Sequence, residues 1–212
     1  RTALPSHGNG KPNGTNAGTT DLTPSDPGAV LFTPGAAVLP KSGANTKSIS
    51  GINSNYAVLV DAQTGEILAG KDADTRFSPA SMTKVMTLLV AVQRLTTTDM
   101  DKTVYCTEEM REYVTTGNYK DLEIYGFKAG QGARIEDLLY GIGVISAADC
   151  VMMVASYICP AATPAESEAA FVELMNAEVQ KMGLTSTNFD NAVGYESANN
   201  KSTATEIAAI MM

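Results

Sequence analysis

The 212 residues are 44% apolar and 18% charged, ordinary globular composition and enough for one well-buried domain. A net charge of −8 repels phosphate backbones and anionic lipid alike, which argues against nucleic-acid binding. No stretch approaches the roughly 18 uninterrupted apolar residues of a membrane helix, and Arg1 opens no charged-then-apolar export signal, compatible with a mature, processed form.

Taken in chain order, residues 1–50 are dominated by Gly, Pro, Asn, Thr and Ser, with one short apolar patch at 30–32. Such a composition buries too little surface to offset the entropy of ordering, so it reads as a flexible tether between an anchor and a folded domain of residues 51–212. Order is expected from Tyr56, where YAVLVDA, the turn QTGE and the run ILA describe a β-hairpin. After a loop at 72–80, SMTKVMTLLVAVQRL leaves almost no polar face and reads as a central, buried helix.

Residues 107–131 hold a short helical piece, EEMREYV, and glycine-punctuated segments suited to a second small hairpin. IEDLLYGIGVI then reads as a helix weakened at Gly141 and Gly143, and a break at Ser146 separates it from the helical run DCVMMVASYI. Residues 164–182 place Phe171, Leu174, Met175, Val179 and Met182 at helical spacing before the stop signal Gly183. STATEIAAIMM opens a further helix, and the sequence ends within that pattern at Met212.

The cysteines Cys106, Cys150 and Cys159 make neither a disulfide framework nor a metal motif, and buried free thiols are expected. Cys150 and Cys159 lie nine positions apart on one expected helix, about 1.5 Å of rise per residue, so any disulfide must use Cys106. His7, the only histidine, sits in the tether. A Ser-His-Asp or Cys-His mechanism is thereby nearly excluded, and a nucleophile working at neutral pH needs a lysine or carboxylate base.

Ser81-Met82-Thr83-Lys84 supplies such a pair, a hydroxyl and an amine three positions apart and hence one turn apart on one helical face. Burial would lower the lysine pKa and let the neutral amine accept the serine proton, while the helix N-terminus favours a developing oxyanion. Taken alone, the spacing equally describes an N-cap serine followed by a solvated lysine. The context, Pro79-Ala80 before it and a strand-turn-strand upstream, favours the chemical reading.

With these residues in place, NYAVLVDAQTGEILAGKDADTRFSPASMTKVMTLLVAV resembles the opening of the D-alanyl-D-alanine carboxypeptidases, low-molecular-mass penicillin-binding proteins of the serine β-lactamase-like superfamily. The likeness continues through ARIEDLLYGIGVISAADCVMMVA and MNAEVQKMGLTSTNFDNAVGYESANNKSTATEIAAI, in family order over residues 55–212. Three ordered blocks are far more specific than any one motif.

The resemblance implies an α/β sandwich of the α+β class, an antiparallel sheet flanked by helices with a mostly helical subdomain. It implies Ser81 as acylated nucleophile, Lys84 as general base, and Ser146 as a second serine relaying a proton to the leaving amine; helix capping is the plainer alternative for Ser146. Two departures stand out. Ala148 occupies the position of the family's substrate-binding asparagine, whose amide donor a methyl lacks, and no Lys-Thr-Gly or Lys-Ser-Gly strand follows Ser146. On the family pattern that strand falls beyond Met212, so the 212 residues are expected to lack their C-terminal strands and to be inactive alone.

The implied activity is removal of the terminal D-alanine from peptidoglycan stem peptides through an acyl-serine, with β-lactam antibiotics as mimics. No cofactor or metal is implied, and a membrane would be reached only through an anchor outside the chain. The expected location is extracytoplasmic, in the cell envelope, on a tether. Two rivals are a non-hydrolysing cell-wall binding or sensor domain, which Ala148 and the absent Lys-Thr-Gly favour, and a class A β-lactamase, which lacks a recognisable deacylating glutamate here.

Overall fold

The computed structural model describes residues 28–212, the side chain of Asn118 aside, so most of the expected tether lies outside the described residues. A three-stranded sheet has the order β1-β3-β2, from β1 (Lys41–Ser48), β2 (Ala57–Val60) and β3 (Glu66–Lys71). β2 and β3 form the expected antiparallel hairpin. Its turn is tied by Asp61, whose Oδ1 accepts the backbone N–H groups of Gln63 and Thr64 at 2.8 and 3.0 Å, and is closed by Gly65 at φ 72°.

β1 lies within the residues read as a tether and pairs with β3 in parallel, so the sheet starts earlier than Tyr56 and is mixed. Its sequence, KSGANTKS, is polar and mostly exposed; backbone bonds hold it, with Thr46 Oγ1 donating to the Ile67 carbonyl at 2.7 Å. An edge strand of this kind needs no apolar alternation, the signal the sequence was searched for. The apolar patch at 30–32 also docks, with the Leu31 N–H donating to the Leu95 carbonyl at 2.8 Å.

The helices are α1 (Thr83–Arg94), α2 (Glu108–Thr115), α3 (Ile135–Ile145), α4 (Ala148–Ile158), α5 (Pro164–Lys181) and α6 (Ala204–Met211). Two short strands, β4 (Thr103–Tyr105) and β5 (Gly132–Arg134), pair antiparallel. They bracket residues 107–131 rather than lying within them. Several starts follow from side-chain caps: Thr107 accepts from the Met110 N–H, and Thr163 and Glu166 form a reciprocal capping box. The helices and sheets give the expected α+β class.

The helix enclosed on every side is α4, in which all residues from Ala148 to Ala155 are buried. α1, expected in that role, buries one face, and that face includes the polar Thr83, Lys84 and Thr87. Around α4 the core gathers Met86 and Val90 from α1, Leu138 and Ile142 from α3, and Phe171 and Met175 from α5. Gly141 lets α3 approach: a β-carbon there would reach within 3.4 Å of the Cys150 Cβ and closer still to its sulfur. All three cysteines are free; Cys106 and Cys150 are buried and Cys159 half-buried.

Candidate active site

Ser81 and Lys84 stand where the sheet hands over to α1. Phe77 exchanges backbone hydrogen bonds with Ser202 at 2.9 and 3.0 Å, fixing the approach, and Ala80–Met82 form a 3-10 turn that runs into α1. Ala80 holds φ 48°, a left-handed conformation that costs a non-glycine residue roughly 1–2 kcal/mol. This turn leaves Ser81 exposed, while Lys84, one turn further on, is only 4% exposed. An accessible hydroxyl thus stands in front of a buried amine.

Lys84 Nζ lies 3.4 Å from Ser81 Oγ and donates to the backbone carbonyl of Val193. Burial pushes its pKa down from 10.5 to about 8, because weakly polar surroundings penalise the ammonium. At pH 7 roughly one amine in ten would then be neutral, against about one in three thousand for an ordinary lysine. The Val193 carbonyl can only accept, so the neutral amine spends an N–H on it and keeps its lone pair for the Ser81 hydroxyl.

The carbonyl is set by a loop at 190–195 that Asn191 ties into a knot. Asn191 Oδ1 accepts the N–H groups of Gly194 and Tyr195 at 2.8 and 2.9 Å, and its Nδ2 donates to the Tyr195 carbonyl at 2.9 Å. Thr87 Oγ1 donates to the Ala192 carbonyl at 2.7 Å, and the Ala192 N–H donates to Glu168 Oε1 at 2.9 Å, so α1 and α5 grip the loop from two sides. Gly194, at φ 79°, lies against the Ser81 turn; a β-carbon there would stand 2.6 Å from the Ala80 carbonyl carbon. No other residue fits that approach without displacement.

Ser146 is the C-cap of α3, at φ 60° and ψ 29°. The N-cap position of α4 that a capping serine would occupy is taken by Ala147, so N-terminal capping of α4 does not account for Ser146. Its Oγ is buried and has no hydrogen-bond partner among the described residues. Ser81 and Lys84 are brought together as expected; Ser146 bonds to neither. Ala148 is fully buried, its N–H donating to the Glu123 carbonyl at 2.8 Å, and its methyl belongs to the core.

Beside it, Asp149 does what the sequence reading overlooked. Buried at the first turn of α4, its carboxylate accepts the N–H groups of Tyr125, Gly126, Phe127 and Cys150 at 2.8–3.2 Å. That pins residues 125–127 over the start of α4, next in sequence to the Ser146 turn. Glu168 was overlooked too, although its spacing to Phe171, Val172, Met175 and Val179 puts a carboxylate on the buried face of α5.

A family model described as D-alanyl-D-alanine carboxypeptidase matches residues 43–212. The chain is 28% identical to the D-alanyl-D-alanine carboxypeptidase DacF of Bacillus subtilis, over 85% of this chain and 44% of that protein. It is 31% identical to the D-alanyl-D-alanine carboxypeptidase DacA of Escherichia coli, over 75% of this chain and 38% of that one. The structure is similar to a Streptomyces DD-transpeptidase mutant, with a TM-score of 0.70 and 26% identity over 76% of this chain and 61% of the other. It is also similar to penicillin binding protein 5 of Haemophilus influenzae, with a TM-score of 0.66 and 28% identity over 77% and 45%. The chain spans about two fifths of the length of the curated relatives it matches.

Proposed function

The chain belongs to the D-alanyl-D-alanine carboxypeptidase family, and from that premise we propose that it carries the nucleophilic half of a serine peptidase acting on peptides ending in D-alanyl-D-alanine. Ser81 Oγ attacks the carbonyl carbon of the penultimate D-alanine as its proton passes to the lone pair of Lys84 Nζ. Collapse of the tetrahedral intermediate breaks the peptide C–N bond. The proton returns to the departing amine, with Ser146 as the relay, and water then cleaves the acyl ester. A penicillin enters by the same attack: its ring amide opens and the acyl group stays on Ser81. Ala148, enclosed in the core, takes no part.

The observation that carries this reading is the exposed Ser81 hydroxyl 3.4 Å from a buried amine whose pKa is about 8. With no histidine among the described residues, that amine is the base within reach of Ser81. The substrate proposed is the peptidoglycan stem peptide, met outside the cytoplasm, with the residues ahead of the docked patch at 30–32 serving as a tether. No helix of the described residues is long and apolar enough to cross a membrane.

The test is release of D-alanine from a pentapeptide ending in D-alanyl-D-alanine, measured for a parent protein that also supplies the Lys-Thr-Gly strand these 212 residues lack, and for its Ser81→Ala and Lys84→Ala variants. Release should vanish in the first and fall by about 10²–10⁴ in the second, the usual contribution of a positioned base. Parental release by Lys84→Ala would remove Lys84 from its role.

A further inference from the structure

Glu168 is a buried carboxylate for which the reaction above has no use. It projects from α5, is 4% exposed, and accepts three donors: the Ala192 N–H at 2.9 Å, the Tyr113 hydroxyl at 2.8 Å and the Tyr119 hydroxyl at 2.9 Å. No Lys or Arg is paired with it among the described residues. Enclosure without a cation disfavours the charged form, and a carboxylate kept there is held by its hydrogen bonds. Those bonds connect three separate pieces of chain: α2 through Tyr113, the turn at Gly117–Tyr119, and the loop at 190–195.

The loop is the piece that matters for chemistry. Its Ala192 N–H rests on Glu168, and the very next carbonyl, that of Val193, receives Lys84 Nζ. Thr87 secures the Ala192 carbonyl from the α1 side. We propose that Glu168 is a positioning residue for Lys84: by holding the Ala192 N–H between α5 and the two tyrosines, it sets the Val193 carbonyl that aims the Lys84 amine at Ser81. The inference rests on the reading of Lys84 as the base for Ser81.

Hydrogen bonds, and not negative charge, are the active ingredient. Burial holds the Glu168 carboxyl above its usual range, with Asp190 adding to the rise and Ala192, Tyr113 and Tyr119 opposing it. A glutamine has the same reach: its oxygen accepts from Ala192, and its amide N–H groups donate to tyrosine oxygens, which accept as readily as they donate. An aspartate keeps the charge but falls short by one C–C bond, about 1.5 Å, and cannot reach the loop and the tyrosines together.

The experiment compares the parent with Glu168→Gln, Glu168→Asp and Glu168→Ala by two readouts. One is the titration midpoint of Lys84, read from the NMR shift of its ¹³C-labelled Cε; the other is the rate of acylation by a fluorescent penicillin across pH. Glu168→Gln should keep the Lys84 midpoint and acylate within about threefold of the parent. Glu168→Asp should free the loop, admit water to the amine, and raise the midpoint by about one pH unit, with roughly tenfold slower acylation at pH 7 because the neutral amine is tenfold scarcer. Glu168→Ala should follow the Asp variant or fail to fold, in which case the Asp and Gln variants decide. An Asp variant with the parental midpoint and rate would overturn the proposal, as would a Gln variant as impaired as Asp. If the parent takes no penicillin yet its Lys84 midpoint still moves in Glu168→Asp and not in Glu168→Gln, the peptidase reading falls while the positioning stands.

Discussion

Replacing Lys84 with methionine should separate the cost of burying the amine from its use. The amine is almost fully enclosed, and the gap between 10.5 and about 8 corresponds to about 3 kcal/mol by which the fold disfavours the ammonium at pH 7. The sign follows from proton counts. Between pH 8 and 10.5 the unfolded lysine keeps its proton and the folded one has lost it, so the unfolded state binds more protons and stability rises with pH. Below pH 8 both states are protonated and the full penalty applies.

Methionine removes that penalty and leaves the Val193 carbonyl without its donor, a loss of about 1–3 kcal/mol. Lys84→Met should therefore be at least as stable as the parent at pH 7, by up to about 2 kcal/mol. Urea unfolding of both proteins from pH 6 to 10.5 cancels every titration they share. The difference between the two curves should be flat below pH 8 and then swing by about 3 kcal/mol in favour of the parent as pH reaches 10.5. Parallel curves throughout would refute the reasoning, since they would mean that the fold does not resist charging Lys84.

Gly194→Ala places a methyl group against the Ala80 carbonyl at a positive φ, so it should cost about 1–2 kcal/mol in the backbone alone. Displacement of the Ser81 turn should slow penicillin acylation by at least tenfold, read by fluorescent labelling. Asp149→Asn leaves one accepting oxygen for four backbone donors and should lower stability by about 2–4 kcal/mol in chemical denaturation, with amide exchange rising first at 125–127. Ala148→Asn forces a carboxamide into the core and should cost about 1–3 kcal/mol in thermal unfolding, with no gain in acylation.

Much of the candidate site was legible because Ser81 and Lys84 are neighbours by local spacing: one helical turn fixes their relation whatever surrounds it. The hairpin and the break at Ser146 were legible for the same reason, each encoded within a few residues. What escaped depends on contacts distant in sequence. The Val193 carbonyl that aims Lys84 is a backbone group, and its partner lies 109 positions away. Asp149 and Glu168 looked like ordinary helix carboxylates because their partners are backbone N–H groups and tyrosines from other segments. β1 escaped because a polar edge strand is held by its neighbour's backbone and carries no alternation of its own. Ser146 was read as a possible N-cap of the following helix, yet the N-cap of α4 is its neighbour Ala147, and Ser146 closes α3 instead.

The pairing of Ser81 with an amine of lowered pKa is most directly tested by mapping the site of penicillin attachment by peptide mass spectrometry while following its rate from pH 6 to 10. The adduct should sit on Ser81, and the rate should climb tenfold per pH unit at low pH and level off around pH 8, as the neutral amine becomes the dominant form. Attachment to another residue, or a rate still climbing tenfold per unit at pH 10 as an ordinary lysine would require, would contradict it.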